Sequence, residues 1–129
     1  MVTREDVEGY LLRMELPFQE IEEGLWVIGD ARDVAPVFLN YTPPLLLVRV
    51  EVMDAPQDEE LRNGLFRELL ELNATDMVHG AYGLDENEIV MTDTLQLTDL
   101  DFSEVQASLE SILLALRAHY ETLLRYRKP

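Results

Sequence analysis

The chain contains no cysteine, which excludes a disulfide framework, a thiolate metal site and a cysteine nucleophile. It has two histidines, His79 and His119, so acid–base chemistry or metal ligation would fall to these and to carboxylates. Both histidines read as structural, His79 in a strand pattern beside glycine and His119 at the rim of an apolar helix face. Cations are scarce. Ten Lys and Arg against 26 Asp and Glu give a formal net charge of −16, distributed along the chain and not gathered in a tail. Such a surface repels phosphate backbones, so direct nucleic-acid binding is not expected. No apolar run approaches the roughly 18 residues that span a bilayer, and the start, Met1-Val2-Thr3-Arg4-Glu5-Asp6, lacks the apolar core of a signal peptide. A cytoplasmic protein with no membrane partner is expected. There is no Walker loop, dinucleotide fingerprint or HExxH pair, and Asp99, Asp101 and Glu104 lack calcium-loop spacing. No cofactor and no enzyme activity are expected.

What is present is a pattern of helices and strands. At 129 residues the chain suits one domain, 1–129, able to bury roughly two-thirds of its unfolded surface. Thr3 caps a first helix whose Val7, Tyr10, Leu11 and Met14 share a face, and which ends before Pro17. Leu25 to Ile28 and Val34 to Leu39 read as strands, with Gly24 and the Gly29-Asp30 pair as punctuation. Pro43-Pro44 marks a boundary before the clearest strand, Leu45 to Val52. Pro56 suits the first position of a second helix ending near Asn73. Met77 to Leu84 and Ile89 to Leu95 form a hairpin about Asp85-Glu86-Asn87-Glu88, with Gly80 and Gly83 marking a bulge or a close backbone approach. A third helix opens at Asp101, with Glu104 completing a capping box. It buries Phe102, Val105, Leu109, Ile112, Leu113, Leu116, Tyr120, Leu123 and Leu124, leaves Leu114 outside, and closes on Arg125, Arg127 and Lys128, which complement its negative end. The order is helix, three strands, helix, two strands, helix. An α+β fold is expected, with a mainly antiparallel sheet of about five strands and three helices against one face.

Two features exceed the needs of a core. In Leu45 to Val52, Leu46, Val48, Val50 and Val52 form one apolar face, whereas Leu45, Leu47, Arg49 and Glu51 form a second that starts apolar and ends charged. Leu45 and Leu47, extended by Trp26, Phe38 and Tyr41, are the expected client-binding residues. In the second helix, Leu61, Leu65, Leu69 and Leu72 share one face while Phe66 and Leu70 form a second stripe, which either touches a neighbouring loop or forms a dimer interface.

The residues also resemble a known family. Gly24-Leu25-Trp26, Tyr41-Thr42-Pro43-Pro44 running into Leu45 to Val52 with Met53 and Pro56 after it, Leu72-Asn73-Ala74, His79-Gly80-Ala81-Tyr82-Gly83-Leu84, Leu100-Asp101-Phe102, Val105-Gln106-Ala107-Ser108 and His119-Tyr120 together resemble the YbjN family of bacterial proteins. Its fold is like that of type III secretion chaperones. The resemblance implies a twisted antiparallel sheet, a homodimer and no enzyme. The resulting expectation is a chaperone-like or regulatory adaptor that binds a protein client as a homodimer, a basic, nucleic-acid-binding protein being one candidate client; the alternative is a small-molecule-sensing regulatory domain. The acidity serves solubility or attracts that basic partner.

Overall fold

A computed structural model describes residues 1–29 and 35–127. Helix α1 (Arg4–Arg13) starts at a reciprocal cap: the Thr3 hydroxyl accepts from the Asp6 N–H, and the Asp6 carboxylate accepts from the Thr3 N–H. Strands β1 (Phe18–Glu22), β2 (Leu25–Ile28), β3 (Val37–Thr42) and β4 (Leu45–Asp54) follow as a meander. Helix α2 (Glu59–Thr75) leads to the hairpin β5 (Ala81–Asp85) and β6 (Glu88–Gln96), and α3 (Phe102–Leu124) completes the order. The strands make one six-stranded sheet, β1-β2-β3-β4-β6-β5, with every neighbour antiparallel.

The class is the expected α+β, but with six strands and not five. The additional strand is β1, an edge whose Phe-Gln-Glu-Ile-Glu sequence carries little apolar signal because only one side of it is paired. Strand β3 starts at Val37 and continues through Tyr41 and Thr42, later than the Val34 to Leu39 segment. Val34, Asp30 and Lys128 lie outside the described residues. Asp58, not Pro56, sets the start of α2, its carboxylate accepting from the Leu61 N–H at 2.9 Å. Strand β5 begins only at Ala81, which leaves His79 in the preceding loop. The close backbone approach belongs to Gly80, whose φ is +80° and where a Cβ would lie 2.9 Å from the Thr92 carbonyl oxygen.

Alternation along β4 places Leu46, Val48 and Val50 on one buried face with their register partners Tyr41, Leu39 and Val37 on β3. All three helices tie to that face. From α1, Glu8 accepts from the Trp26 indole N–H at 3.1 Å. From α3, the buried Ser108 hydroxyl donates to Asp93 at 2.7 Å. From α2, Asn73 bonds the backbone of Tyr82. Helices α1 and α3 meet where Tyr10 stacks edge-on against Phe102, with the Arg13 guanidinium 3.8 Å from the Phe102 ring centroid.

The capping box at the start of α3 is present, and hydrogen bonds from the Glu104 N–H and the Ser103 hydroxyl hold the Asp101 carboxyl below the usual carboxylate range. Leu114 is exposed as expected, and so is Leu124, which narrows the apolar face at its last turn. The closing arginines bind outward from the helix: Arg125 pairs with Glu68 on α2 at 3.3 Å, and Arg127 donates to the Val52 carbonyl on β4 at 3.1 Å. Basic side chains expected to answer the helix dipole thus also clamp α3 to α2 and the sheet.

This one-sided burial separates neighbouring leucines. Leu46→Ala should cost about 2–5 kcal/mol by leaving a cavity in the core, whereas Leu45→Ala should cost less than about 1 kcal/mol. Urea denaturation of the two variants distinguishes them, and equal losses would contradict the face assignment.

Candidate functional site

The sheet face opposite the helices carries Leu25 and Val27 on β2, Phe38 on β3, and Leu45 and Leu47 on β4. Register sets these side by side: Val27 faces Phe38, Phe38 faces Arg49, Asn40 lies between Leu25 and Leu47, and Thr42 faces Leu45. All five apolar residues are half-buried and stand apart from the core cluster. Toward β6 the face turns polar, with Gln96, Thr94 and Thr92 opposite Leu45, Leu47 and Arg49. It ends in charge. Arg49 pairs with Asp85 at 2.9 Å and Glu88 at 3.6 Å, and Asp54 and Glu86 lie in the same acidic cluster.

Of the five side chains expected on this face, Phe38, Leu45 and Leu47 are there. Trp26 and Tyr41 are not. Trp26 is fully buried opposite Leu39, and Tyr41 packs against the core with its hydroxyl donating to the Val2 carbonyl at 2.9 Å. Both have the parity of the helix-covered face, which overrides any grouping by aromatic character. Leu25 and Val27 take their places. Their signal was available, because in β2 they alternate with Trp26 and Ile28.

A second apolar surface lies beside the β5 edge. The outer side of α2 presents Asn63, Gly64, Phe66, Arg67, Leu70 and Glu71 along a shallow groove. Phe66 packs partly against the core, while Leu70 is 69% exposed. Leu84, 52% exposed on β5, joins them in an adjoining apolar groove of about 230 Å³ that also contains Tyr82 and Ile89. Arg67 and Glu71 form an i,i+4 pair at 3.6 Å, so this strip is locally neutral.

The polar groups most like catalytic machinery form a chain that is buried except at its Asp76 end. The Tyr82 hydroxyl lies 2.7 Å from His119 Nδ1, and His119 Nε2 lies 3.1 Å from Asp76, the residue capping the C-terminus of α2. Tyr82 and His119 are both buried, and burial pushes the Tyr82 hydroxyl well above its ordinary pKa. A phenol held neutral and covered by packing is a poor nucleophile or base, so this chain of bonds ties β5 to α3 and to the end of α2. His79 is exposed, its backbone N–H donating to the Ser111 hydroxyl at 3.3 Å. Among the described residues no group of three His, Asp or Glu side chains is placed to hold a metal ion, and no helix is long and apolar enough to cross a membrane.

Several solved structures share this architecture, among them the following three. YbjN of E. coli is 14% identical, with 92% of this chain and 93% of that one aligned at a TM-score of 0.66. A chain of the heterodimeric ExoU–SpcU complex, from the type III secretion system of Pseudomonas aeruginosa, is 16% identical over 95% and 98% of the two chains at 0.67. A chain of the HopA1–SchA chaperone–effector complex is 15% identical over 85% and 86% at 0.59. No curated protein sequence matches the chain. The CesT_Tir_1 model, that of a type III secretion chaperone family, matches residues 1–129, and the chain belongs to that family.

Proposed function

We propose that this protein is a non-enzymatic, cytosolic, chaperone-like adaptor that holds a segment of a protein client on its helix-free sheet face. The observation that carries the reading is the contiguous apolar set Leu25, Val27, Phe38, Leu45 and Leu47, half-exposed on three adjacent strands and outside the core. A patch of this kind on an otherwise charged surface is a place for another polypeptide. The HopA1–SchA structure, a chaperone with its effector, supports the same class of partner. The net charge of −16 and the acidic cluster at the Arg49 end favour a client with basic residues beside its apolar anchors. Nucleic-acid-binding proteins are commonly basic and fit that description, while the same field repels nucleic acid itself.

The protein acts in this reading as a homodimer formed across α2. The locally neutral strip of Phe66, Leu70, Arg67 and Glu71 is suited to a second copy, because a two-fold axis crossing α2 near Leu70 sets Arg67 of one copy toward Glu71 of the other. Elsewhere two chains of such charge repel. The small-molecule-sensing alternative has less support. The apolar groove beside Leu84 is about 230 Å³, below the roughly 300–1,000 Å³ usual for ligand pockets. A cleft of about 460 Å³ near Arg127 is open and more polar than such sites, and the groove of about 740 Å³ along α2 is more open still.

The client reading is tested by purification from the source cell at low salt with wild type and with the Leu45→Asp/Leu47→Asp double variant. Wild type should retain proteins that the double variant loses while keeping its circular dichroism, and raising the salt should weaken the capture. Equal capture by both proteins would overturn the reading. The dimer is tested separately by light scattering at micromolar concentration. Wild type should show twice the chain mass and Leu70→Asp the single mass; a monomeric wild type would rule the dimer out.

A further inference from the structure

A strand at the edge of a sheet presents unpaired N–H and C=O groups to any other extended chain. Here the edges are β1 and β5. The β5 edge is the more hazardous, because it borders the exposed apolar side chains of Leu70 and Leu84. Along a strand, the N–H and C=O of one residue point to the same side, and successive residues alternate. In β5, Ala81, Gly83 and Asp85 therefore direct these groups one way, and Tyr82 and Leu84 the other.

The side of Tyr82 is the outer one, and it is occupied. Its N–H donates to Asn73 Oδ1 at 2.8 Å, and its carbonyl accepts from Asn73 Nδ2 at 3.1 Å. One side chain from α2 thus makes the donor and acceptor pair that a residue of a neighbouring strand would make. A carboxylate would only accept, and a hydroxyl is too small to bridge both groups; an amide does both. Asn73 is held at this position by the buried Leu65 and Leu69 on the same helix.

We propose that Asn73 closes the β5 edge to strand addition by a second copy of this chain. With the Tyr82 pair taken, only the outward groups of Leu84 remain in this five-residue strand, and a single residue does not hold an added strand in register. The inference concerns the edge alone and stands whether or not the client and dimer readings hold.

Hydrogen exchange by NMR on the wild type at micromolar concentration tests it without any substitution. The Tyr82 amide should exchange roughly tenfold or more slowly than the Leu84 amide, its outward neighbour. Removing the block by Asn73→Ala should speed exchange at Tyr82 at low concentration. As concentration rises, the variant should form species larger than wild type by light scattering, with Tyr82 and Leu84 then protected together. Asn73→Asp, which accepts but cannot donate, should keep the Tyr82 amide slow and associate less than Asn73→Ala, because it frees only the carbonyl. Equal exchange of the two amides in the wild type, or an Asn73→Ala variant no larger than wild type across the concentration range, would overturn the proposal.

Discussion

The register of β4 against β3 and β6 divides the molecule into a packed half and an open half. Because side chains alternate along a strand, a slip of one residue would send Leu45 and Leu47 under the helices and turn Leu46, Val48 and Val50 outward. What prevents the slip is the number of partners that depend on it. Tyr41 and Leu95 flank Leu46, Leu39 and Asp93 flank Val48, and Asp93 in turn accepts from Ser108 on α3. Helix packing and strand pairing therefore select the same alignment. The apolar face left over is a consequence of three helices sharing one side of six strands.

Charge acts at longer range and less selectively. Twenty-six carboxylates keep separate molecules apart, so surfaces that meet a protein partner either attract opposite charge or suppress their own. Both conditions occur here. The strip on α2 cancels its charge internally through Arg67 and Glu71, while the end of the open sheet face keeps more carboxylates than Arg49 neutralises. The two surfaces thus differ in the kind of neighbour they tolerate.

Element types were legible in the sequence wherever burial is periodic. The apolar alternation of β4 and the capped, amphipathic α1 and α3 appear close to where their residues suggest. Strand β1 was hidden because an edge strand covered on one side needs few apolar residues, and its Phe18 and Ile21 are spaced by three, not two. The candidate site was half legible. Leu45 and Leu47 followed from parity alone, but placing Trp26 and Tyr41 with them required the register between strands. That register turns on the Pro43-Pro44 turn: once Thr42 pairs with Leu45, Phe38 must share a face with Arg49 and Tyr41 with Leu46. Asn73 gave no sign of its role, since a hydrogen bond from a helix to an edge strand depends on where the chain folds back and leaves no periodic trace.

The buried position of Trp26 also has an optical consequence. It is the only indole in the chain, it lies beneath α1 with its N–H bonded to Glu8, and it faces away from the open side of the sheet. Its emission therefore reports first on whether α1 is seated on the core. The molecule carries a built-in fluorescent gauge of its own integrity.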